Sequence, residues 1–93
     1  MKTPKQLERY FKGVANHRRI EILILIAGRD GLTVEQIAKK LDCNIKTISE
    51  HTRRLVQAGL ISKKYKGRTV THFFTPYGKI FVKIIKTFPV QTA

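Results

Sequence analysis

The chain is short of acidic side chains. Its 93 residues hold six Asp and Glu against 19 Lys and Arg, a formal net charge of +13, and no acidic residue follows Glu50. The second half therefore carries an almost unopposed positive charge, which attracts polyanions and accelerates their capture. This balance makes nucleic acid the expected partner, ahead of the simpler explanations of solubility and nonspecific adhesion.

Cysteine and long apolar runs are also scarce, and this excludes several classes of protein. A single cysteine, Cys43, cannot form an internal disulfide. No apolar run reaches the ~18 residues that a transmembrane helix needs. The amphipathic start, MKTPKQLERYFK, lacks the apolar core of a signal peptide. We therefore expect a cytoplasmic protein with no membrane partner.

The capping residues and the spacing of apolar side chains predict five helices and one hairpin. Each helix start is marked by a Thr or Asn cap. These caps are Thr3, Asn16, Thr33, Asn44 and Thr75. Residues 60–65 and 68–74 are instead rich in β-branched and aromatic types, with Lys66-Gly67 as the turn between them. The predicted fold is a mainly α winged helix-turn-helix with a two-strand wing, in one domain of residues 1–93.

The fourth helix has an apolar side and a polar side. At about 100° per residue, Ile48, Thr52 and Leu55 fall together, and we expect them to be buried. The opposite side is polar and cationic, and the first turns of such a helix reach base edges in the major groove. An ordinary solvated helix face is the alternative. The residues of this segment predicted to contact DNA are Asn44, Ile45, Lys46, Thr47, Ser49, Glu50, Arg53 and Arg54.

Side-chain chemistry suggests individual roles on that helix. Lys46 is expected to donate to guanine O6 and N7, Glu50 to accept from cytosine N4, and Ile45 to meet a thymine methyl group. Arg53 and Arg54 lie farther along and are expected to hold phosphates. Because a carboxylate that faces DNA repels phosphate, Glu50 should reduce nonspecific binding and sharpen the choice of sequence.

The hairpin tip gathers four cations around a glycine. Such a tip lies over a groove or follows the backbone beside it, and these contacts mainly position the protein and add affinity. A charged edge that discourages strand-to-strand aggregation is a second role that this pattern also allows. The predicted wing contacts are Lys63, Lys64, Lys66, Gly67 and Arg68.

These segments resemble the ArsR-type winged-helix transcriptional regulators. Residues 15–23 (ANHRRIEIL) look like the opening of one of their helices, and residues 47–51 (TISEH) like the core of their recognition helix. Residues 58–61 (AGLI) and Gly67-Arg68 resemble the entry to the wing and its tip. The resemblance covers most of residues 10–88 and implies a homodimeric repressor.

The resemblance also implies that the first and last helices, at about 4–14 and 76–88, form the dimer interface. Both helices carry an apolar stripe at helical spacing, which agrees with such an interface. Burial in the core of the same protomer is the alternative, and both can hold. Gly13 marks the end of the first helix or a bend in it. The predicted interface residues are Leu7, Tyr10, Phe11, Val14, Ile80, Phe81, Ile84, Ile85 and Phe88.

The chain departs from that family at its metal-sensing positions. Where many members carry a cysteine pair on the third helix, this sequence has Thr33 and Glu35, and its last helix has no His, Cys, Asp or Glu. The three histidines have no metal-ligand spacing to one another or to Cys43, which we interpret as a buried, inert thiol. We therefore expect no metal and no cofactor, and the family's inducers do not carry over.

Two functions from different classes fit these patterns best. A third, binding to a membrane surface through the basic amphipathic last helix with Lys79, Lys83 and Lys86 on one side, is outweighed by a dimer helix with a solvated rim. The first is sequence-specific binding of double-stranded DNA by a homodimeric regulator, expected to be a repressor. The alternative is a winged-helix module that binds protein and uses its charge only for nonspecific contact with nucleic acid. The sequence contains no phosphate-binding glycine loop, nucleophile motif or clear carboxylate pair, so we do not expect an enzyme.

Overall fold

The computed structural model describes residues 1–89, which form five helices and an antiparallel hairpin. The element order predicted from the sequence is confirmed. The elements are α1 (Pro4–Val14), α2 (His17–Gly28), α3 (Val34–Leu41), α4 (Ile45–Gln57), β1 (Ile61–Lys66), β2 (Thr69–Phe74) and α5 (Pro76–Thr87). No helix in the described part of the chain is long and apolar enough to cross a membrane.

Each helix begins at the cap that the sequence predicts. The α3 cap is a capping box: the amide of Gln36 donates to Thr33 Oγ1 at 3.1 Å, and the amide of Thr33 donates to Gln36 Oε1 at 2.9 Å. The same reciprocal pair joins Thr3 and Gln6 at the start of α1. Caps of this kind contribute about 1 kcal/mol each, because they satisfy amides that have no partner inside the helix.

The core surrounds α2, which packs against α4, α5 and β2. The predicted apolar stripe of α4 is confirmed as buried, and the hydroxyl of Thr52 within it donates to the carbonyl of Ser49 at 2.9 Å. This stripe fixes the rotation of α4, so its polar side must face outward. The fully buried apolar side chains include Ile22, Leu23, Ile26, Leu32, Ile37, Ile48, Leu55 and Leu60.

A close crossing joins α1 to the end of α4. Gly13 lies one residue before the end of α1, and a β-carbon built there would overlap the β-carbon of Ala58. Only a residue without a side chain allows the two backbones to come this near. Gly13 thus sets a helix contact, beyond the helix ending that the sequence suggested.

The hairpin turn differs by one residue from the prediction. Lys66 pairs with Thr69 as the last rung of the ladder, so the two loop residues are Gly67 and Arg68 rather than Lys66 and Gly67. Gly67 has a φ of +61°, and a glycine with positive φ at the first loop position is what a type II′ turn requires. The correction places Arg68 at the tip of the wing.

Candidate nucleic-acid interface

The polar side of α4 is open to solvent. The side chains of Lys46, Thr47, Ser49, Arg53 and Arg54 are all exposed. Ile45, in the first turn, is also 51% exposed, which is unusual for an isoleucine in a folded protein. The start of α4 therefore offers water both hydrogen-bonding groups and an apolar one, the mixture that base edges in the major groove recognise.

The N-terminus of α4 is held by its cap. Asn44 Oδ1 accepts a hydrogen bond from the amide of Lys46 at 2.7 Å. This bond fixes the direction in which the first turn leaves the preceding loop. Lys46 is thereby placed at the exposed start of the helix, where no neighbouring element covers it.

Glu50 lies between two arginines on this face. Its carboxylate accepts from Arg53 Nε at 3.1 Å and lies 3.2 Å from Arg54 Nε. The hydrogen bond from Arg53 is the main cause of a lowered pKa of Glu50, and Glu50 in turn raises the pKa of Arg53. Separate roles were predicted for these three side chains from the sequence. Their spacing of three and four residues was the signal that they would pair.

Two clefts flank the polar side of α4. Counting about 100° per residue, Ser49 and Thr52 fall on one side of Lys46, and Arg54 and Gln57 fall on the other. The first pair lines a cleft of about 450 Å³ against the hairpin and the start of α3, here called the wing-side cleft. The second pair lines a cleft of about 270 Å³ against α1 and α2, here called the α1-side cleft.

Only some of the predicted wing cations line the wing-side cleft. Lys63 and Arg68 line it, facing α4 together with Tyr65. Lys64 points to the other face of the hairpin, where its Nζ lies 4.4 Å from the centroid of the Phe73 ring. Strand alternation explains the division, because successive side chains point to opposite faces. Lys66 and Gly67 are exposed at the tip.

His72 ties the wing to the body of the protein. Its main chain pairs with Leu32, just before α3, and its Nδ1 lies 2.8 Å from the Leu32 carbonyl oxygen. Because a carbonyl only accepts, Nδ1 carries the proton. Burial lowers the pKa of His72, which keeps the ring neutral, and its Nε2 has no hydrogen-bond partner within residues 1–89. The sequence placed this histidine in a strand but gave no sign of its anchoring role.

The residues predicted for a dimer interface divide into two groups. Tyr10 and Phe81 are buried within the protomer, and Val14 and Ile85 are half-buried. Ring contacts, including an edge-on contact of Phe11 with Phe81 at 5.0 Å, hold α1 beside α5. The others are exposed: Leu7 (43%), Phe11 (55%), Ile80 (52%), Ile84 (43%) and Phe88 (66%).

The candidate metal ligands stay apart in the described part of the chain. Within residues 1–89 no three His, Cys, Asp or Glu side chains gather in a way that would hold a metal ion. Cys43 is half-buried rather than buried as predicted, because it sits in the open turn between α3 and α4. Its Sγ donates a weak hydrogen bond to the carbonyl of Leu41 at 3.3 Å.

A protein-family model, HVO_A0114, matches residues 14–82 of the chain. This segment runs from the last residue of α1 into α5 and includes α4 and the whole wing. Among curated proteins, none matches the sequence.

Solved structures of transcriptional regulators have the same fold. HlyU from Vibrio cholerae superimposes with a TM-score of 0.83 at 22% identity, over 94% of this chain and 95% of that one. HlyU from Vibrio vulnificus gives 0.78 at 23% identity, over 92% and 90%. The homodimeric winged helix-turn-helix DNA-binding domain of Mb0332 from Mycobacterium bovis, a possible ArsR-family regulator, gives 0.79 at 26% identity, over 94% and 83%. These structures confirm the predicted winged helix-turn-helix fold and the resemblance to ArsR-type regulators.

Proposed function

Because the chain belongs to the HVO_A0114 family and has the fold of winged-helix transcriptional regulators, we propose that it binds double-stranded DNA in a sequence-specific manner. It acts as a homodimer, and its effect on transcription is repression. The observation that carries the proposal is the outward polar side of α4 beside a cationic wing, in a chain of net charge +13.

The start of α4 reads bases in this proposal. Lys46 is the main base-reading cation, because it stands exposed in the first turn, where a recognition helix approaches base edges. Thr47 and Ser49 bond bases or phosphates beside it, Asn44 holds the turn, and Ile45 meets a thymine methyl group.

The Glu50 cluster adds selectivity. Arg53 and Arg54 hold phosphates, and Glu50 orients both guanidinium groups through the contacts described above. Glu50 accepts from cytosine N4 at an acceptor position that the two arginines leave free. A wrong base leaves that position without a donor, and the carboxylate then opposes nearby phosphates.

The wing contributes affinity rather than choice of sequence. Lys63 and Arg68 face α4 across the wing-side cleft and reach the backbone on that side of the groove. Lys66 and Gly67 are exposed at the tip, where they add charge and close approach to phosphates. Lys64, over the Phe73 ring, adds charge from the other face of the hairpin.

A second copy of the chain covers the apolar surface of α1 and α5. This surface has five large exposed residues, Leu7, Phe11, Ile80, Ile84 and Phe88. They lie on α1, on α5 and at the C-cap of α5, and the Phe11–Phe81 ring contact joins the two helices. Contiguous apolar surface of this kind is unfavourable in water and is typical of an interface. Val14 and Ile85 lie at its margin, while Tyr10 and Phe81 support it from inside.

Dimerisation would present two recognition helices to one face of DNA. A two-fold dimer places them about one helical turn apart, roughly 34 Å, on a near-palindromic site. Repression then follows from occupancy, because a dimer bound at a promoter excludes other proteins from the same grooves.

Selection of bound sites from random duplex DNA at a stated salt concentration tests this function. We expect one near-palindromic sequence to be enriched by the native chain. Lys46→Ala should change the preferred bases, whereas Lys86→Ala, an exposed charge on α5, should leave them unchanged. Weak binding with no enriched sequence would reject the proposal in favour of a protein-binding module that contacts nucleic acid nonspecifically.

A further inference from the structure

The α1-side cleft is lined by cations from three helices. They are Arg9 and Lys12 of α1, Arg19 of α2 and Arg54 of α4. The remaining lining residues are Gly13, Gln57 and Ala58, so no carboxylate belongs to the cleft itself. Four cations around so small a space repel one another, and an anion between them would relieve that repulsion.

The crossing of α1 over α4 assembles this group. Because Gly13 rests on Ala58, the polar side of α1 lies beside the last turns of α4. Arg9 and Lys12 are three residues apart and share one face of α1, away from the exposed apolar Leu7 and Phe11. The cleft therefore remains open when a second copy covers the apolar surface.

Existing partners leave much of this charge unopposed. Lys12 pairs with Glu8 at 3.0 Å, but the two side chains are 77% and 50% exposed, and pairs in water contribute little. Arg54 shares Glu50 with Arg53. Arg19 Nε is buried and has no hydrogen-bond partner among residues 1–89.

His51, on α4, senses the charges of both Arg19 and Arg54. Burial, followed by the charges of these two arginines, lowers the pKa of its imidazole. The opposing influence of Glu50 is smaller. Two of the four cations of the cleft therefore act on the same neighbouring side chain.

The position of the cleft identifies the anion. An α-helix about 10–12 Å wide nearly fills a major groove about 12 Å wide, so a phosphate backbone runs along each of its flanks. The wing lies on one flank of α4 and the α1-side cleft lies on the other. Resting on the function proposed above, we propose that the α1-side cleft binds a backbone phosphate, opposite the wing, so that α4 is held by contacts on both sides.

Salt dependence of binding to the selected site measures this contact. Arg9→Gln combined with Lys12→Gln removes the two exposed cations that α1 contributes to the cleft. Each lost phosphate contact lowers the slope of log K against log salt by about 0.9. Because one phosphate is lost, we expect that slope to fall by about 0.9, with weaker binding to every duplex and an unchanged preferred sequence.

A matched control separates a local contact from a general effect of charge. Lys79→Gln combined with Lys86→Gln removes two exposed charges from α5, which packs on α2 and β2 rather than on α4. We expect this control to keep the native slope, and the charge-preserving Arg9→Lys variant to keep it as well. Equal slopes for the α1 double variant and the α5 control would overturn the inference.

Two further outcomes have distinct meanings. In the first outcome, the native protein binds inorganic phosphate, the α1 double variant does not, and the two have the same DNA salt slope. The cleft then holds a free anion, and the DNA contact is rejected. If the native chain selects no sequence at all, the proposed function fails by itself, and the slope on random duplex still tests the phosphate contact.

Discussion

Two exposed surfaces of opposite chemistry stand on this small chain. The polar side of α4, together with the wing, exposes cations and hydroxyl groups to solvent. The surface of α1 and α5 offers large apolar side chains that water solvates poorly. Charge acts over distance and weakens with salt, whereas apolar contact acts at short range and is insensitive to screening. One surface is therefore suited to a polyanion and the other to a second protein surface.

Charge introduced into the apolar surface should have the largest effect. Ile80→Asp places a carboxylate among the exposed residues of α1 and α5, and we expect it to leave the protomer folded and to prevent dimerisation. Loss of the second reading helix should weaken binding to a near-palindromic site by about 10² to 10³. Analytical ultracentrifugation and fluorescence anisotropy measure the two effects.

Ile80→Lys is the matched variant for that measurement. It removes the same apolar contact but adds a positive charge instead of a negative one. If both variants become monomeric and lose affinity, the apolar contact is responsible. Loss of DNA affinity in Ile80→Asp alone would mean that this surface acts on DNA through charge, and the contrast between the two surfaces would break down.

Within the wing, Lys63 and Arg68 should contribute more to DNA affinity than Lys64. Lys63 and Arg68 face the wing-side cleft, whereas Lys64 lies over the Phe73 ring on the other face. We expect Lys63→Ala and Arg68→Ala each to lower the salt slope by about 0.9, and Lys64→Ala to lower it by less. Anisotropy titrations across a range of salt concentrations provide the comparison. Equal slopes for all three variants would mean that the wing acts only through its net charge.

Removal of the carboxylate on α4 should have a smaller effect of opposite sign. Glu50→Gln keeps the size of the side chain and releases Arg53 and Arg54 from their shared partner. We expect affinity for unrelated duplexes to rise a few-fold and selectivity for the preferred site to fall. Competition between the selected duplex and random duplex measures the ratio. An unchanged ratio would leave Glu50 with no part in the choice of sequence.

A lower pH should slightly reduce the stability of the folded protein through His72, which anchors the wing. Because burial lowers its folded pKa below the unfolded value of about 6.5, the unfolded chain binds more protons between these two pKa values. Stability is therefore full above pH 6.5 and falls as the pH drops through 6.5 toward the folded pKa. Thermal melts between pH 7.5 and 5 should show a smaller decrease for His72→Gln than for the native chain.

His51→Gln serves as the comparison for that series, because His51 also has a lowered pKa but does not join the wing to α3. The protection of the β1 and β2 amides, taken as the exchange rate relative to the intrinsic rate at each pH, should decrease at low pH in both the native chain and the His51→Gln variant. If this protection does not change with pH while His72 is present, His72 is not the group that anchors the wing.

Local patterns predicted the elements, and tertiary contacts supplied what the patterns missed. The caps and the stripe of α4 depend on residues within one or two turns of one another, so the sequence contains them directly. The hairpin turn was misplaced by one residue, because lysine and arginine are equally acceptable beside Gly67 and only strand pairing decides the register.

The α1-side cleft depends on residues far apart in the sequence. Arg9 and Arg54 are brought to one place by the contact of Gly13 with Ala58, and no periodicity within α1 or α4 points to that crossing. The ion pairs of Glu50, in contrast, could have been predicted from the sequence, because their residues lie three and four positions apart on a single helix.

The most direct test of the account is a solution NMR titration of the protein with its selected duplex and with a scrambled duplex of equal length. The account predicts that amide signals from Asn44 to Arg54 shift with the selected duplex, and that this shift is much smaller with the scrambled one. Wing signals should respond to both duplexes. Unperturbed α4 signals in the presence of bound selected duplex, or identical α4 shifts with the two duplexes, would contradict the claim that α4 reads DNA sequence.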